Sequence, residues 1–255
     1  MSLNGIRVLV TRPAQQAQNL SSLLEQHGAI PVLLPTLAIE EVHNDQLIAD
    51  TLQNPNGYQW LIFISVNAVN FALKANGGKI PASKWPCVAA VGQATANALT
   101  AAGFSVQAVP EQGFNSATLL AMPQLQQVQG QQVLIVRGVG GREELADTLR
   151  ARGAQVTYLE VYKRIIPSID SSAVRELLSR NNIQIITVTS SEALQNLLIM
   201  LGENNHKLLF ELLLVVVSDR IKDIAAEMGF KRITVTKNPS DAALLDTVIT
   251  SAMGS

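Results

Sequence analysis

A chain of 255 residues with 47% hydrophobic content can form one or two domains with substantial cores. Its net charge of −1, isoelectric point near 6.3 and 4% aromatic content exclude a global basic field and leave little surface for stacking nucleic-acid bases. The single Cys87 excludes an internal disulfide framework, no apolar run approaches a membrane span, and no secretory leader is visible before strand-like sequence starts at Ile6, so a soluble cytoplasmic protein is expected.

Short β-branched runs alternate with helical patterns along the chain, which predicts βα units and mostly parallel sheets. Strands are expected at 7–11, 30–34, 60–64, 87–91, 106–108, 133–136, 155–159, 185–189, 213–217 and 233–236. Helices fit between them. Leu20, Leu23 and Leu24 share one helical face, as do Leu145 and Leu149, and Gly28 and Gly153 stand where each helix should stop. Two extended, proline-flanked stretches, 35–42 and 159–167, break the alternation and read as a pair of linker strands. The Gln-rich stretch 124–132 reads as a surface loop or a frayed helix end.

These elements repeat with an offset of about 125 residues. Gly5-Ile-Arg-Val-Leu-Val-Thr-Arg12 returns as Gly130-Gln-Gln-Val-Leu-Ile-Val-Arg137, and Gly28-Ala29 as Gly153-Ala154. Trp60 to Ser65 returns as Ile185 to Ser190, with Ala68 matching Ala193, and Val91-Gly92 returns as Val217-Ser218. Two related lobes are expected, with a ligand site in the cleft between them. The repeat alone leaves open whether each lobe is one continuous copy or combines pieces of both.

In open parallel sheets ligands bind beyond the carboxyl ends of the strands, where helix N-termini offer N–H groups. The turns at those positions carry Thr11-Arg12, Ser65-Val66-Asn67, Gly92-Gln93-Ala94-Thr95, Asn115-Ser116, Arg137 to Arg142, Ser190-Ser191, Ser218-Asp219-Arg220 and Ser240-Asp241. Each taken alone reads as an ordinary helix cap; together, with several arginines, they suit carboxylates or phosphates. The cluster Gly138-Val-Gly140-Gly141-Arg142-Glu143 follows a strand, but Glu143 at the third glycine position opposes a dinucleotide. His27, His43 and His206 lack ligand spacing, and Cys87 reads as a small buried hydrophobe. An enzyme built this way is expected to work without metal, reactive thiol or nucleotide. Tyr162 stands out in the second linker strand, followed by Lys163-Arg164, where its phenol either packs at a hinge or donates into the cleft.

Val8-Leu-Val-Thr-Arg12-Pro13, Phe63-Ile-Ser65-Val-Asn67-Ala68, Val91-Gly92-Gln-Ala-Thr95, and Arg142 through Gly153-Ala154 to Val161-Tyr162-Lys-Arg164 together resemble the uroporphyrinogen-III synthase family, over nearly the whole chain. The resemblance implies an α/β fold of two similar lobes, each a parallel sheet flanked by helices, joined by a two-stranded linker. One lobe then takes 1–37 and 166–255, the other 43–159, with linker strands 38–42 and 160–165. It implies a hydro-lyase that cyclises hydroxymethylbilane, a linear octacarboxylate tetrapyrrole, to uroporphyrinogen III with loss of water and inversion of ring D. No cofactor, nucleic acid or membrane is implied; a monomer is expected, with possible transient contact with the upstream bilane-forming enzyme. By motif position Tyr162 becomes the catalytic candidate, and Arg12, Ser65, Thr95, Ser190 and Ser218 the substrate contacts, with Arg142 a weaker one if it lies a turn into its helix. The turn Ser218-Asp219-Arg220-Ile221 departs from Gly92-Gln-Ala-Thr95: the threonine hydroxyl is lost, and Asp219 repels a carboxylate unless it pairs with Arg220. Two other readings use the same features: a non-catalytic two-lobed receptor for a small polyanion, and a glycosyltransferase-like enzyme, for which a sugar-nucleotide site is missing.

Overall fold

The computed structural model describes residues 3–55, 57–113 and 115–253. In chain order it begins with β1 (Arg7–Val10), α1 (Ala14–Gln26) and β2 (Ile30–Leu33). The middle holds β3 (Ala38–Glu41), α2 (Asp45–Gln53), β4 (Tyr58–Phe63), α3 (Val66–Ala75), β5 (Cys87–Ala90), α4 (Gln93–Ala101), α5 (Ser116–Leu120), β6 (Gln132–Gly138), α6 (Glu144–Ala151) and β7 (Gln155–Ile165). It ends with α7 (Ser172–Ser179), β8 (Ile185–Val188), α8 (Ser191–Leu201), α9 (His206–Glu211), β9 (Leu213–Val216), α10 (Asp219–Met228), β10 (Arg232–Val235) and α11 (Asp241–Met253).

The chain divides into two units: Met1–Ala38 with Ile165–Ser255, and Ile39–Arg164. The first carries a sheet in the order β10-β9-β8-β1-β2, the second in the order β3-β7-β6-β4-β5. Matching β1 to β6, β2 to β7, β8 to β4 and β9 to β5 makes four strands of the two orders the same and leaves β10 and β3 as unmatched strands at opposite edges. The sheet of the first unit therefore draws β1 and β2 from the first copy of the repeat and β8, β9 and β10 from the second.

Strands β1, β4, β6, β8 and β9 are covered on both faces, which is why they read as nearly unbroken apolar runs. In the second unit Leu61, Phe63, Leu134 and Val136 enter one core, while Trp60, Ile62, Val133 and Ile135 enter the other. In the first, Leu9, Ile186, Leu214 and Val216 face one way, and Val8, Val10, Leu213 and Val215 the other. The glycine stops behave alike in both copies. Gly28 (φ +82) and Gly153 (φ +86) take the left-handed conformation, and the next residues, Ala29 and Ala154, donate back to Leu24 and Leu149. That pairing satisfies the last carbonyls of α1 and α6, and an L side chain would strain it.

Two sequence expectations change. The stretch 106–108 makes only an isolated bridge, Ala89 to Ala108, beside β5. Pro110 lies two residues further and has no N–H to extend the ladder. The second extended stretch is not separate from its neighbour: β7 runs unbroken from Gln155 to Ile165. Its register against β6 shifts between Arg137↔Glu160 and Gly138↔Tyr162, an irregularity that turns Val161 and Tyr162 into the same core.

Candidate active site

Three of the expected contacts, Ser65, Ser190 and Ser218, each follow a buried parallel strand and cap a helix. Their backbones are extended, and each hydroxyl oxygen accepts a helix N–H: from Ala68 at 3.0 Å, Ala193 at 3.0 Å and Ile221 at 3.4 Å. Such a cap contributes about 1 kcal/mol and leaves the other first-turn N–H groups open to an anion. Thr95 lies in the first turn of α4 and is buried.

In the second unit the bulge in β7 brings Tyr162 to Ser65. The phenol oxygen lies 3.2 Å from the Ser65 hydroxyl, across 97 residues of sequence. The ring is 1% exposed and packs on Phe71, with centroids 5.7 Å apart. It also lies over Gly138, where an added Cβ would come within 2.5 Å of the ring. The Tyr162 carbonyl accepts the Val139 N–H at 2.7 Å. The phenol is therefore enclosed, and half-buried Ser65 is the hydroxyl it can work through.

Arg137, next to Gly138, points to the opposite face of the sheet. Its guanidinium is buried against Tyr158, 4.4 Å from the ring centroid. It donates to the Gly138 carbonyl at 3.1 Å, to the Gly140 carbonyl, and to the Glu143 carboxylate at 2.9 Å. The Tyr158 hydroxyl donates to the other Glu143 oxygen. The phenol bond, followed by the Arg137 bond, holds the Glu143 carboxyl below its usual 4.5. Burial, then the carboxylate, raises the Tyr158 phenol above its usual 10.0. A depressed acid adds stability that is complete above about pH 4.5 and is lost as pH falls through the lower folded value. The raised phenol's contribution is complete below about pH 10.0 and is lost above it. The difference in melting temperature between wild type and Glu143→Gln should thus stay constant from about pH 5.5 to 9 and shrink toward zero in acid. A difference that persists at full size in acid would remove this ion pair from the account.

Arg142 lies two residues before α6, not a turn into it, and is exposed. In the first unit Arg12 pairs with Asp241 at the start of α11 and donates to the Pro239 carbonyl at 3.3 Å, while Asn19 donates to the same carboxylate at 2.5 Å. Thr11 and Thr187 exchange hydroxyl bonds with the neighbouring strand carbonyls of β8 and β1, at 2.8 and 3.3 Å, tying the strand ends together. Asp219 and Arg220 are both exposed in the first turn of α10, with no ion pair between them among the described residues. Among those residues, too, no group of three or more His, Cys, Asp or Glu is placed to hold a metal, and no helix is long and apolar enough to cross a membrane.

The structure thus joins Tyr162 to Ser65 and leaves Arg12 with an acid that the sequence did not suggest. Arg137, Glu143, Tyr158, Asp241 and Gly138 were not among the expected catalytic and contact residues. Arg137, Gly138 and Asp241 stood in the strand-end turns and Glu143 stood against a dinucleotide, but only Arg137 carried a further signal, as a cation closing an otherwise apolar run.

The family model described as uroporphyrinogen-III synthase HemD matches residues 18–246. The chain is 34% identical over 243 residues to uroporphyrinogen-III synthase of Escherichia coli, covering 93% of this chain and 98% of the relative. It is 29% identical over 205 residues to that of Synechococcus elongatus, covering 79% and 77%. In fold it is similar to uroporphyrinogen III synthase of Thermus thermophilus, a triple mutant (TM-score 0.63, 20% identity, 98% and 99% covered). It is likewise similar to the Helicobacter pylori uroporphyrinogen-III synthetase (TM-score 0.64, 15% identity, 96% and 99% covered).

Proposed function

The chain belongs to the uroporphyrinogen-III synthase family, and from that premise we propose how its strand-end residues serve the reaction. The protein cyclises hydroxymethylbilane to uroporphyrinogen III, with loss of water and inversion of ring D. The observation that carries this reading is the family match over almost the full chain, supported by the serine-capped helices that follow strands of both sheets, α3 in one unit and α8 and α10 in the other. A non-catalytic anion receptor finds no support among the relatives.

The carboxylates of the bilane bind to first-turn N–H groups and to the hydroxyls of Ser65, Ser190 and Ser218. Arg142 has no ion-pair partner among the described residues and is the readier cation. Arg12 can engage substrate only by exchanging Asp241. Held in a folded conformation, the bilane loses its terminal hydroxyl as water, and pyrrole nitrogen stabilises the resulting azafulvene. Ring D attacks the azafulvene methylene through its own substituted carbon; the spiro intermediate fragments and recloses with the ring inverted. Orientation of this kind contributes on the order of 7–11 kcal/mol in favourable intramolecular reactions. Tyr162, acting through Ser65, assists departure of the hydroxyl. The single cysteine fits work in the reducing cytoplasm, as a monomer that takes its substrate by transient contact with the upstream enzyme.

The test generates hydroxymethylbilane in place, adds the protein, oxidises the products and separates the porphyrin isomers. The type III isomer is expected in place of the spontaneous type I. Type I alone from folded protein would sink the reading.

A further inference from the structure

Arg137 is a buried cation whose hydrogen bonds fall within six residues of itself, on Gly138, Gly140 and Glu143. A guanidinium taken out of water is costly unless its donors are satisfied, and here they are satisfied by one short loop. That loop, 139–143, leaves the carboxyl end of β6, a strand in the interior of its sheet. Gly140 (φ +69) and Gly141 (φ +103) give it little stiffness of its own, and residues 139–143 are all exposed. A Cβ on Gly141 would meet an Arg137 terminal nitrogen at 3.0 Å, so the chain is drawn closely around the guanidinium. The second anchor is Glu143, gripped by Arg137 and by the Tyr158 hydroxyl.

The clamp leaves a definite set of groups unspent. The N–H groups of Gly140, Gly141, Arg142 and Glu143 have no hydrogen-bond partner among the described residues. Arg137 and Glu143 balance each other, so Arg142 supplies the loop's net positive charge. Val139 donates its N–H to the Tyr162 carbonyl, which fixes the start of the loop beside the Tyr162–Ser65 pair.

We infer that Arg137 is a positioning residue: without touching substrate, it holds the loop 139–143 in the conformation whose open N–H groups and Arg142 take a carboxylate of the bilane. Glu143 and Tyr158 complete the clamp. The inference rests on the synthase reading and adds to it a residue that tunes affinity rather than the chemical step. Loss of the clamp removes binding shared by ground state and transition state, which raises KM and spares kcat.

The experiment uses the full-length protein with Arg137→Lys, which keeps the charge and loses the fork, and Tyr158→Phe, which keeps the ring and loses the grip on Glu143. Two readouts are taken: KM and kcat for type III formation, and the rate of tryptic cleavage after Arg142 without substrate. Arg137→Lys should raise KM about 10-fold, the equivalent of one charge-assisted hydrogen bond, with kcat within about 2-fold of wild type. Tyr158→Phe should raise KM about 3-fold, and cleavage after Arg142 should accelerate in the same order. Unchanged KM with faster cleavage would overturn the inference, because the loop would then be clamped for structure alone. A fall in kcat at constant KM, or unchanged cleavage, would overturn it as well. If Arg137→Lys does not fold, Tyr158→Phe decides. Wild-type protein that yields only the type I isomer would defeat the synthase reading separately, while the cleavage rates would still report on the clamp.

Discussion

Replacing Gly138 by alanine is expected to lower stability by about 3 kcal/mol, near the upper end of what overpacking a core costs. The added Cβ would lie 2.5 Å from Cε2 and 2.6 Å from Cζ of Tyr162, closer than real carbon contacts allow. The ring has nowhere to go. It is 1% exposed, stacked on Phe71, and tied to Ser65 by its hydroxyl. Gly138 itself is held by pairing in the middle of the sheet. Urea unfolding measures the cost. Repeating it in a Tyr162→Leu background should recover most of the loss, since contacting residues do not add independently. A penalty below about 0.5 kcal/mol, typical of an uninvolved surface site, would mean that the ring yields freely.

Tyr162 should show two separable effects. Tyr162→Ala removes one of the largest fully buried side chains and is expected to cost about 3–5 kcal/mol, as aromatic-to-alanine changes in cores do. Tyr162→Phe keeps the packing and loses only the bond to Ser65, about 1 kcal/mol of stability. Its kcat should fall about 10-fold, at the modest end of acid catalysis, because the substrate's own pyrrole nitrogens drive ionisation. Ser65→Ala should reduce kcat similarly, and the double substitution should be little worse than either single one, because both break one path. Full kcat in Tyr162→Phe, with the fold intact by calorimetry, would take the phenol out of the chemistry and leave it a packing residue.

The strands and helix stops were legible because they depend on neighbours in sequence. Gly28 and Gly153 announce helix ends through a conformation that other residues resist, and the apolar runs of β4, β6, β8 and β9 announce strands covered on both faces. The short stretch 106–108 carries the same composition but meets a proline two residues on, so its pairing ends at one bridge. The site was less legible, because its geometry is set by long-range register. Strict alternation along β7 would place Tyr162 on the face of Tyr158, and only the shift opposite Gly138 turns it toward Ser65. Arg12 looks like a free cation until α11 brings Asp241 to it from 229 residues away. Arg137 looks like a strand-end arginine facing water, yet an interior strand with both faces covered leaves it none.

The interleaving of the sheets also sets an order of events at the ribosome. Strand β1 lies between β2 and β8, and its pairing of Val8 with Ile185 closes only after that distant residue has been made. The unit Ile39–Arg164 is one continuous stretch of chain, so all of it has been made while the N-terminal segment still waits for β8. Once finished, it holds Glu40 beside Lys163, 3.6 Å apart, so the nascent chain resumes near the point where it left. A long excursion thereby becomes a short loop before β8 arrives, and the entropy of joining the two ends falls accordingly.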